Sequence, residues 1–570
     1  MARARIRNRV QATVPGPVPS GRLGVKDTIA VALVLLLGIF AYSSSLRGEF
    51  VFDDVPQIVD NPAIRTLGSF LEPSGHLPNR IVAYFTFALS YLAGGYDPFG
   101  WHLANLVIHL GNAVLVWAFV VLAFRSPRLR SSVLVPASGA VAFTSAALFV
   151  AHPLATQAVS YVVQRITSLA TFFYLLAVVL YLAWRMLRGA RGRVVLYVAV
   201  LVSALLAVRT KEIAFTLPVA IALVEWAFLE GGKRRWLPIV PVLALAMLIP
   251  LSLVDLGKPA STLLASADSS TRVLAPAGRH DYLRTQAVVV ARYLGLLALP
   301  VGQTIDHEVA IRRSWLAPDV AGSALLLASL AGLGAWLAWR STPRGNRPAL
   351  DPSVRLVALG IGWFFLALSV ESSLIPIADV MNEHRVYLPS APLLPASATL
   401  LALLLRRIDP RHVARHTAIV GGLAAAVLAV VTWNRNAVWR HEEALWRDAA
   451  AKSPGHWRAV SNLGAALTRQ QRFPEAVSVM RAALQIDPRS VAARVQLGVV
   501  LYLAGKPQEA EVELRKAVAL DPNDAAALFN LAVFLRNTGR GPEARPYQER
   551  LREVAEDPAQ RAWAETELAK

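Results

Sequence analysis

Apolar residues in this chain fall in long unbroken runs. Charge-free stretches rich in Leu, Val and Ala occupy 28–46, 99–124, 131–150, 166–184, 236–254, 320–339, 386–405 and 416–434. Shorter ones lie at 194–208, 356–370 and 213–229, the last carrying Glu225. Crossing a bilayer core takes about 20 helical residues, and only helices or closed barrels satisfy their backbone there. No alternating pattern of the kind barrel strands carry is present, so the runs predict 11 membrane-spanning helices. The segment 285–300 is apolar as well, but Arg292 interrupts it and Pro300 ends it. It is expected to be re-entrant or to lie at the interface.

Past about Trp439 the long runs stop and charge rises. Leu463-Gly464, Leu497-Gly498 and Leu531-Ala532 are spaced by 34 positions, as are Ala476, Ala510 and Ala544, and as are Pro454, Pro488 and Pro522. Small residues at fixed helix positions let paired helices approach, and prolines close each unit. This is the tetratricopeptide period. It predicts repeats at about 456–489, 490–523 and 524–558, with 439–453 as the second helix of a preceding half unit. The predicted class is therefore all-α. A basic tail at 1–27 precedes a multi-spanning membrane domain at 28–435 with an exterior loop at 47–100, a repeat region at 436–560 and a tail at 561–570.

Composition agrees, since 55% hydrophobic and 17% charged residues over 570 positions are too apolar for a soluble globular protein. The net charge of +20 would suggest nucleic acid if it were clustered on a folded surface. It is not so placed. Six segments hold it: Arg3, Arg5, Arg7, Arg9, Arg22 and Lys26; Arg125, Arg128 and Arg130; Arg185, Arg188, Arg191 and Arg193; Lys233, Arg234 and Arg235; Arg340, Arg344, Arg347 and Arg355; and Arg406, Arg407, Arg411 and Arg415. With four acidic neighbours, these 24 basic residues account for the whole excess. The charge reports topology, and nucleic acid drops out as a partner. By the positive-inside rule the N-terminus is cytoplasmic, and an odd number of crossings puts the repeats outside. Usage of Ala, Arg and Leu leans toward a bacterial inner membrane, with the repeats in the periplasm. The first run is long for a cleaved signal peptide, and with no cysteine in the chain no disulfide holds the exterior parts.

Candidate chemistry lies at run ends assigned to the outer side. Asp53 and Asp54 are adjacent, among Val51, Phe52 and Val55. Neighbouring carboxylates near apolar surface can separate in pKa, so that one serves as a general base or a metal ligand; a solvated turn is the plainer reading of such a pair. Arg80, His152, Arg165, Lys211, Glu212, Glu383, His384 and Arg385 gather at ends facing the same side. Cations on the outer side run against the topology trend and suit an anionic group such as a lipid phosphate. The plainer alternative pairs each locally, Lys211 with Glu212 and Arg385 with Glu383. The amphipathic stretch 81–92, opened by Asn79-Arg80, is expected to lie along the membrane surface. His102, Asn105, His109 and Asn112 form one helical stripe, expected to pack through hydrogen bonds rather than to hold a metal.

Short motifs in order carry a family resemblance. Gly48-Glu49-Phe50-Val51-Phe52-Asp53-Asp54 with Asn61-Pro62, Trp101-His102-Leu103-Ala104-Asn105 with His109, and Ala151-His152-Pro153 with 159–165 are the first three. Lys211-Glu212 with Pro218 and Glu383-His384-Arg385-Val386-Tyr387-Leu388-Pro389 complete the series. Together they resemble the tetratricopeptide-containing transmembrane protein O-mannosyltransferase family. The resemblance implies a GT-C glycosyltransferase that moves a sugar, typically mannose, from a polyprenyl-phosphate carrier to Ser or Thr hydroxyls of proteins on the outer face. It implies Asp53 as base with Asp54 as its support or a metal contact, or the two exchanged, so a divalent metal is left open. Arg385, His384, Arg165 and Lys211 would stabilise the leaving phosphate, Arg80, His152, Glu212 and Glu383 would complete the substrate-binding set, and the repeats would hold the acceptor. Asn79-Arg80-Ile81 departs from the pattern by lacking the proline often found after that arginine.

Two readings of other classes compete. One is a non-catalytic membrane scaffold whose repeats recruit envelope proteins, which Asp53→Asn would not affect. The other is a transporter or flippase, which would place ionisable groups at mid-span, where this chain offers mainly Glu225.

Overall fold

The computed structural model describes residues 24–70, 80–187, 189–253, 278–342, 349–373, 376–555 and 557–569. The basic residues at 1–23, Asn79, Arg188, Arg344 and Arg347 lie outside them. Among the described residues the structure is helical, with no strand.

Helices follow the 11 apolar runs in order: Val25–Tyr42, Pro98–Arg125, Ser138–Ala151, Arg165–Met186, Ala190–Val208, Leu217–Phe228, Ile239–Ala246 with Leu248–Leu253, Pro318–Arg340, Val354–Leu368, Tyr387–Ile408 and Val413–Val438. Eight reach spanning length and hydropathy on their own, and a ninth does so as Val135–Ala151 with Pro153–Val159, bent by 51°. Leu217–Phe228 and Val354–Leu368 are shorter, at 12 and 15 residues. Local sequence explains the starts. The Asp97 side chain accepts from Phe99 N–H at 3.1 Å while Pro98 takes the first helical position, where its missing N–H costs nothing. Small residues set the closest approaches. A Cβ on Gly421 would meet Thr144 at 2.3 Å, and one on Gly360 would meet Ala396 at 2.6 Å, so these pairs depend on glycine to pack without lipid between them.

The bundle has two chemically different ends. At one, the basic loops bond to backbone and to acids: Arg355 to Ser341 O at 2.9 Å, Arg406 to Val133 O at 3.2 Å, and Ser132 to Asp351 at 2.6 Å. Buried Glu225 belongs here, held by Arg185 and by the Tyr181 hydroxyl at 2.6 Å. It is therefore not a mid-span group. At the other end lie Asp53, Lys211, Glu371 and His384. The helix Arg279–Ala298, which contains most of 285–300, stays there. Tyr282 donates to Glu371 O at 2.8 Å, Tyr293 to Asn382 O at 2.8 Å, and Leu297 O meets His152 Nε2 at 3.0 Å. Loops of the Asp53 end tie both of its termini.

The repeats follow the 34-residue period. Helix pairs Trp457–Arg469 with Phe473–Ile486, Val491–Leu503 with Pro507–Leu520, and Ala525–Asn537 with Gly541–Val554 are preceded by Glu442–Lys452 as the half unit. A Cβ on Gly464 would meet Met480 at 2.8 Å and one on Gly498 would meet Leu514 at 2.6 Å. The tail expected at 561–570 is mostly a further helix, Pro558–Leu568. Trp563 meets Phe529 edge to face at 4.9 Å and Ala564 is fully buried, because a solenoid must cover the apolar face of its last repeat. The first end of the solenoid is fused to the membrane part. Trp439 packs against Tyr161 at 5.6 Å, Trp446 meets Phe52 edge to face at 5.1 Å, and Lys452 donates to Gln303 O at 2.7 Å.

Candidate active site

The turn carrying the acidic pair is built from its own glycine outward. Gly48 passes so close to Trp439 that a Cβ would meet its carbonyl oxygen at 2.9 Å, which fixes where the following residues emerge. His102 Nε2 takes up Gly48 O at 3.1 Å. Phe52 has φ +51°, a left-handed conformation that a bulky residue adopts only when its surroundings impose it. Its ring is pinned against Trp446. This turn sends the two carboxylates in different directions.

Asp54 points inward and is fully buried. Its Oδ2 accepts from Val51 N–H at 3.1 Å and its Oδ1 from Val163 N–H at 2.7 Å. It thus ties the turn to the 162–164 segment. Burial pushes its pKa up to about 8, against the pull of those two N–H groups. Asp53 is half-buried. Its N–H donates to the Tyr161 hydroxyl at 2.9 Å, and that hydroxyl also bonds its carboxyl group. Burial raises the Asp53 pKa, Asp379 raises it further, and Tyr161 and Arg458 draw it down. Of the two, only Asp54 has both carboxylate oxygens on backbone N–H groups. Among the described residues no group of three or more His, Asp or Glu is placed to hold a metal ion.

A run of charges leads away from Asp53. Arg385 is buried, with Nη2 on Asp379 O at 2.6 Å and Nη1 on Val380 O at 3.2 Å. It lies within electrostatic reach of Glu371. Glu371 is paired with Lys211 at 2.8 Å, and Lys211 also donates to Thr167 Oγ1 at 3.1 Å. Burial opposes the Glu371 charge, but Lys211, Arg385 and Arg80 together hold its pKa below the usual range. Arg80 pairs with Glu212 at 3.3 Å. His384 feels Lys211, Arg385 and Arg80, and its backbone N–H donates to Gln157 at 2.7 Å. The pairing of Lys211 with Glu212 and of Arg385 with Glu383 does not occur. Among the described residues, His384 Nδ1 and Glu371 Oε2 are buried without a hydrogen-bond partner, two unsatisfied polar atoms in one cluster.

The other sequence candidates serve different purposes. Arg165 spends its guanidinium on Asn105 at 2.6 Å, Thr86 O at 3.0 Å, Ser90 at 2.8 Å and Trp101 O at 3.0 Å, with Phe87 and Trp101 rings over it. It clamps the helix Ile81–Gly94 onto the bundle. Glu383 receives Gln303 Nε2 at 3.0 Å, Thr304 N–H at 2.8 Å and His307 at 2.9 Å, fastening the 303–307 segment. His152 accepts from Leu154 N–H at 3.2 Å and, through Nε2, engages the terminus of Arg279–Ala298. The stripe on Pro98–Arg125 packs through hydrogen bonds, with His109 on the Tyr387 hydroxyl at 2.6 Å, Asn105 on Val159 O at 3.0 Å and Asn112 on Ser168 O at 2.9 Å. Sequence reasoning missed Glu371, Asp379 and Arg458. Their signals are slight: an acid just after an apolar run, an acid in the loop before Glu383-His384-Arg385, and an arginine opening a repeat helix.

The tetratricopeptide repeat family model matches residues 467–514 and 501–564. Protein O-mannosyl-transferase Tmtc1 of Drosophila melanogaster is 26% identical over 84% of this chain and 64% of its own length. Protein O-mannosyl-transferase TMTC3 of Mus musculus is 26% identical over 82% of this chain and 52% of its own. The chain thus spans between half and two thirds of these relatives. The crystal structure of ArnT from Cupriavidus metallidurans bound to undecaprenyl phosphate overlays 87% of this chain and 80% of that one, at TM-score 0.37 and 15% identity. With similarity that runs through the membrane part into the repeats, the chain is similar to the tetratricopeptide-containing transmembrane protein O-mannosyltransferases.

Proposed function

We propose that this protein is a GT-C membrane glycosyltransferase that moves a sugar from a polyprenyl-phosphate carrier to Ser or Thr hydroxyls of polypeptides. Mannose is the sugar carried in the names of its relatives. The observation that carries this reading is the strained turn at Phe52, anchored from behind by Asp54, which presents Asp53 to Tyr161, Asp379 and Arg458, with the Asp379 carbonyl bonded to buried Arg385. A hydroxyl is a weak nucleophile, so a carboxylate must take its proton as the oxygen attacks. Asp53 fills that role. The new bond joins the hydroxyl oxygen to the anomeric carbon, and the bond from that carbon to the phosphate oxygen breaks. The proton rests on Asp53 and the carrier departs as polyprenyl phosphate. Lys211, Arg80 and Arg385 are the cations suited to the leaving phosphate, since preorganised positive charge in a water-poor site stabilises it best, and His384, which burial and those cations keep neutral, is suited to it as a hydrogen-bond donor. A single displacement inverts the anomeric centre.

The basic loops would face the cytoplasm, with Asp53 and the repeats on the outer face. The repeats would hold the acceptor segment. The test is transfer by the full-length protein in nanodiscs, from undecaprenyl-phosphate mannose to a Ser/Thr-rich peptide, with Asp53→Asn alongside. Loss of transfer in a variant that folds like the wild type supports the reading; undiminished transfer overturns Asp53 as base, and no transfer by the wild type favours the scaffold.

A further inference from the structure

Among the contacts by which the repeat region meets the candidate site, the Arg458 side chain reaches two of its segments at once. Arg458, on the helix Trp457–Arg469 that opens the first repeat, donates Nε to Asp306 Oδ2 and Nη2 to Asp306 Oδ1, both at 2.6 Å. The same Nη2 reaches Asp379 Oδ1 at 2.9 Å. Asp306 is buried and has His456 at 3.5 Å. Asp379 in turn offers its backbone carbonyl to Arg385. One guanidinium therefore spans the 303–307 segment, fastened by Glu383, and the 379–380 segment, which holds Arg385. A two-pronged fork of this kind fixes orientation as well as charge, which a lysine ammonium does not. Four titratable groups face Asp53: its neighbour Asp54, Tyr161, Asp379 and Arg458.

We propose that Arg458 is a positioning residue of the transfer site, so that the first repeat completes the site in addition to presenting acceptor. This inference rests on the transferase reading with Asp53 as base. A cation beside a carboxylate favours its charged form and an anion disfavours it, so the two partners of this one contact act on Asp53 with opposite signs. Arg458 keeps Asp53 ready to accept a proton and holds Asp379 where its carbonyl supports Arg385.

The experiment is the pH dependence of initial transfer rates from undecaprenyl-phosphate mannose to a Ser/Thr-rich peptide, with full-length protein in nanodiscs. Arg458→Gln is expected to move the acid limb of the profile upward by about half a unit to one unit, and Asp379→Asn to move it downward by about as much. Arg458→Lys should restore the limb while kcat stays low, because the charge returns without the fork. Limbs that coincide with the wild type, or that move the same way in Arg458→Gln and Asp379→Asn, overturn the proposal and leave Arg458 a structural clasp. If Arg458→Gln does not fold, the Asp379→Asn limb and the Arg458→Lys profile decide the matter alone. Transfer surviving in Asp53→Asn, or absent from the wild type, overturns the transferase reading itself and this inference with it.

Discussion

Asp54 holds Asp53 in place from behind: both carboxylate oxygens of Asp54 are taken by backbone N–H groups, of Val51 and Val163, while Asp53 meets Tyr161. Adjacent in sequence, the two acids have different partners, and under the proposed function they divide anchoring from chemistry. Asp53→Asn should abolish transfer at unchanged thermal stability, because the amide keeps the shape of a half-buried side chain and removes only the base. Asp54→Asn should lower stability by about 1–3 kcal/mol, because its amide nitrogen faces a backbone N–H where an acceptor is needed. Thermal midpoints and transfer rates of the two variants, measured together, check this division. Equal transfer losses at equal stability would contradict it.

The buried Asp54 also makes stability depend on pH. Burial pushes its pKa up to about 8, above the unfolded value near 4, so the folded state binds the proton more tightly than the unfolded chain does. Its contribution is therefore largest below about pH 4 and is lost as pH rises toward about 8. Asp54→Asn carries no such proton and should flatten that part of the profile. Unfolding midpoints in detergent from pH 4 to pH 9 provide the comparison, and parallel curves for the two proteins would exclude Asp54 as the source.

Lys211 and Glu371 form a buried pair drawn from two separate loops. Removing only the cation leaves an uncompensated carboxylate, so Lys211→Met should cost about 3–5 kcal/mol. Adding Glu371→Gln should recover most of that stability. Transfer should stay lost in the double variant, because the leaving phosphate still lacks its cation. Recovery of transfer along with stability would show that Lys211 serves the fold alone.

Much of the architecture is legible in the sequence because its causes are local. Apolar runs follow from the bilayer's thickness, basic loops from topology, and Gly464 and Gly498 from close helix pairing. The charged residues were harder to read. Arg165 and Lys211 look alike in sequence, as cations at run ends. The structure gives Arg165 a full set of neutral acceptors from the 81–94 and 98–125 helices, and gives Lys211 an acid 160 residues away. Nothing local distinguishes them. Glu383 and His384 are adjacent, yet one fastens a loop and the other keeps a free ring nitrogen in the cluster. A motif names the residues but not the partners that long-range packing assigns.

That difference has a direct test in Arg165. Its guanidinium is satisfied by four acceptors and lies over two rings. Arg165→Lys retains the charge but not the planar fork, so it should destabilise by several kcal/mol, about what breaking a buried network costs. The folded fraction that remains should show an unchanged KM for the lipid donor. A raised donor KM at preserved stability would instead return Arg165 to the phosphate site.

The last expectation concerns how the repeats divide. The first repeat and the half unit before it are fastened to the membrane part by Trp446, Lys452 and Arg458, whereas the second and third repeats pack in series beyond them. A solenoid's stability passes between neighbours, so damage far along it should spread little to the site. Gly498→Val places bulk where even a Cβ would come within 2.6 Å of Leu514, and it should unfold the second repeat and those after it at a lower temperature. Transfer to a short peptide should persist in that variant, and transfer to a long polypeptide should fall, because a longer acceptor depends on more of the solenoid. Gly464→Val, which crowds Met480 within the first repeat, should abolish transfer to both. Calorimetry that resolves a separate repeat transition, read beside the two transfer rates, decides the point. Equal loss of both activities in Gly498→Val would show instead that the repeats fold and function as one unit with the site.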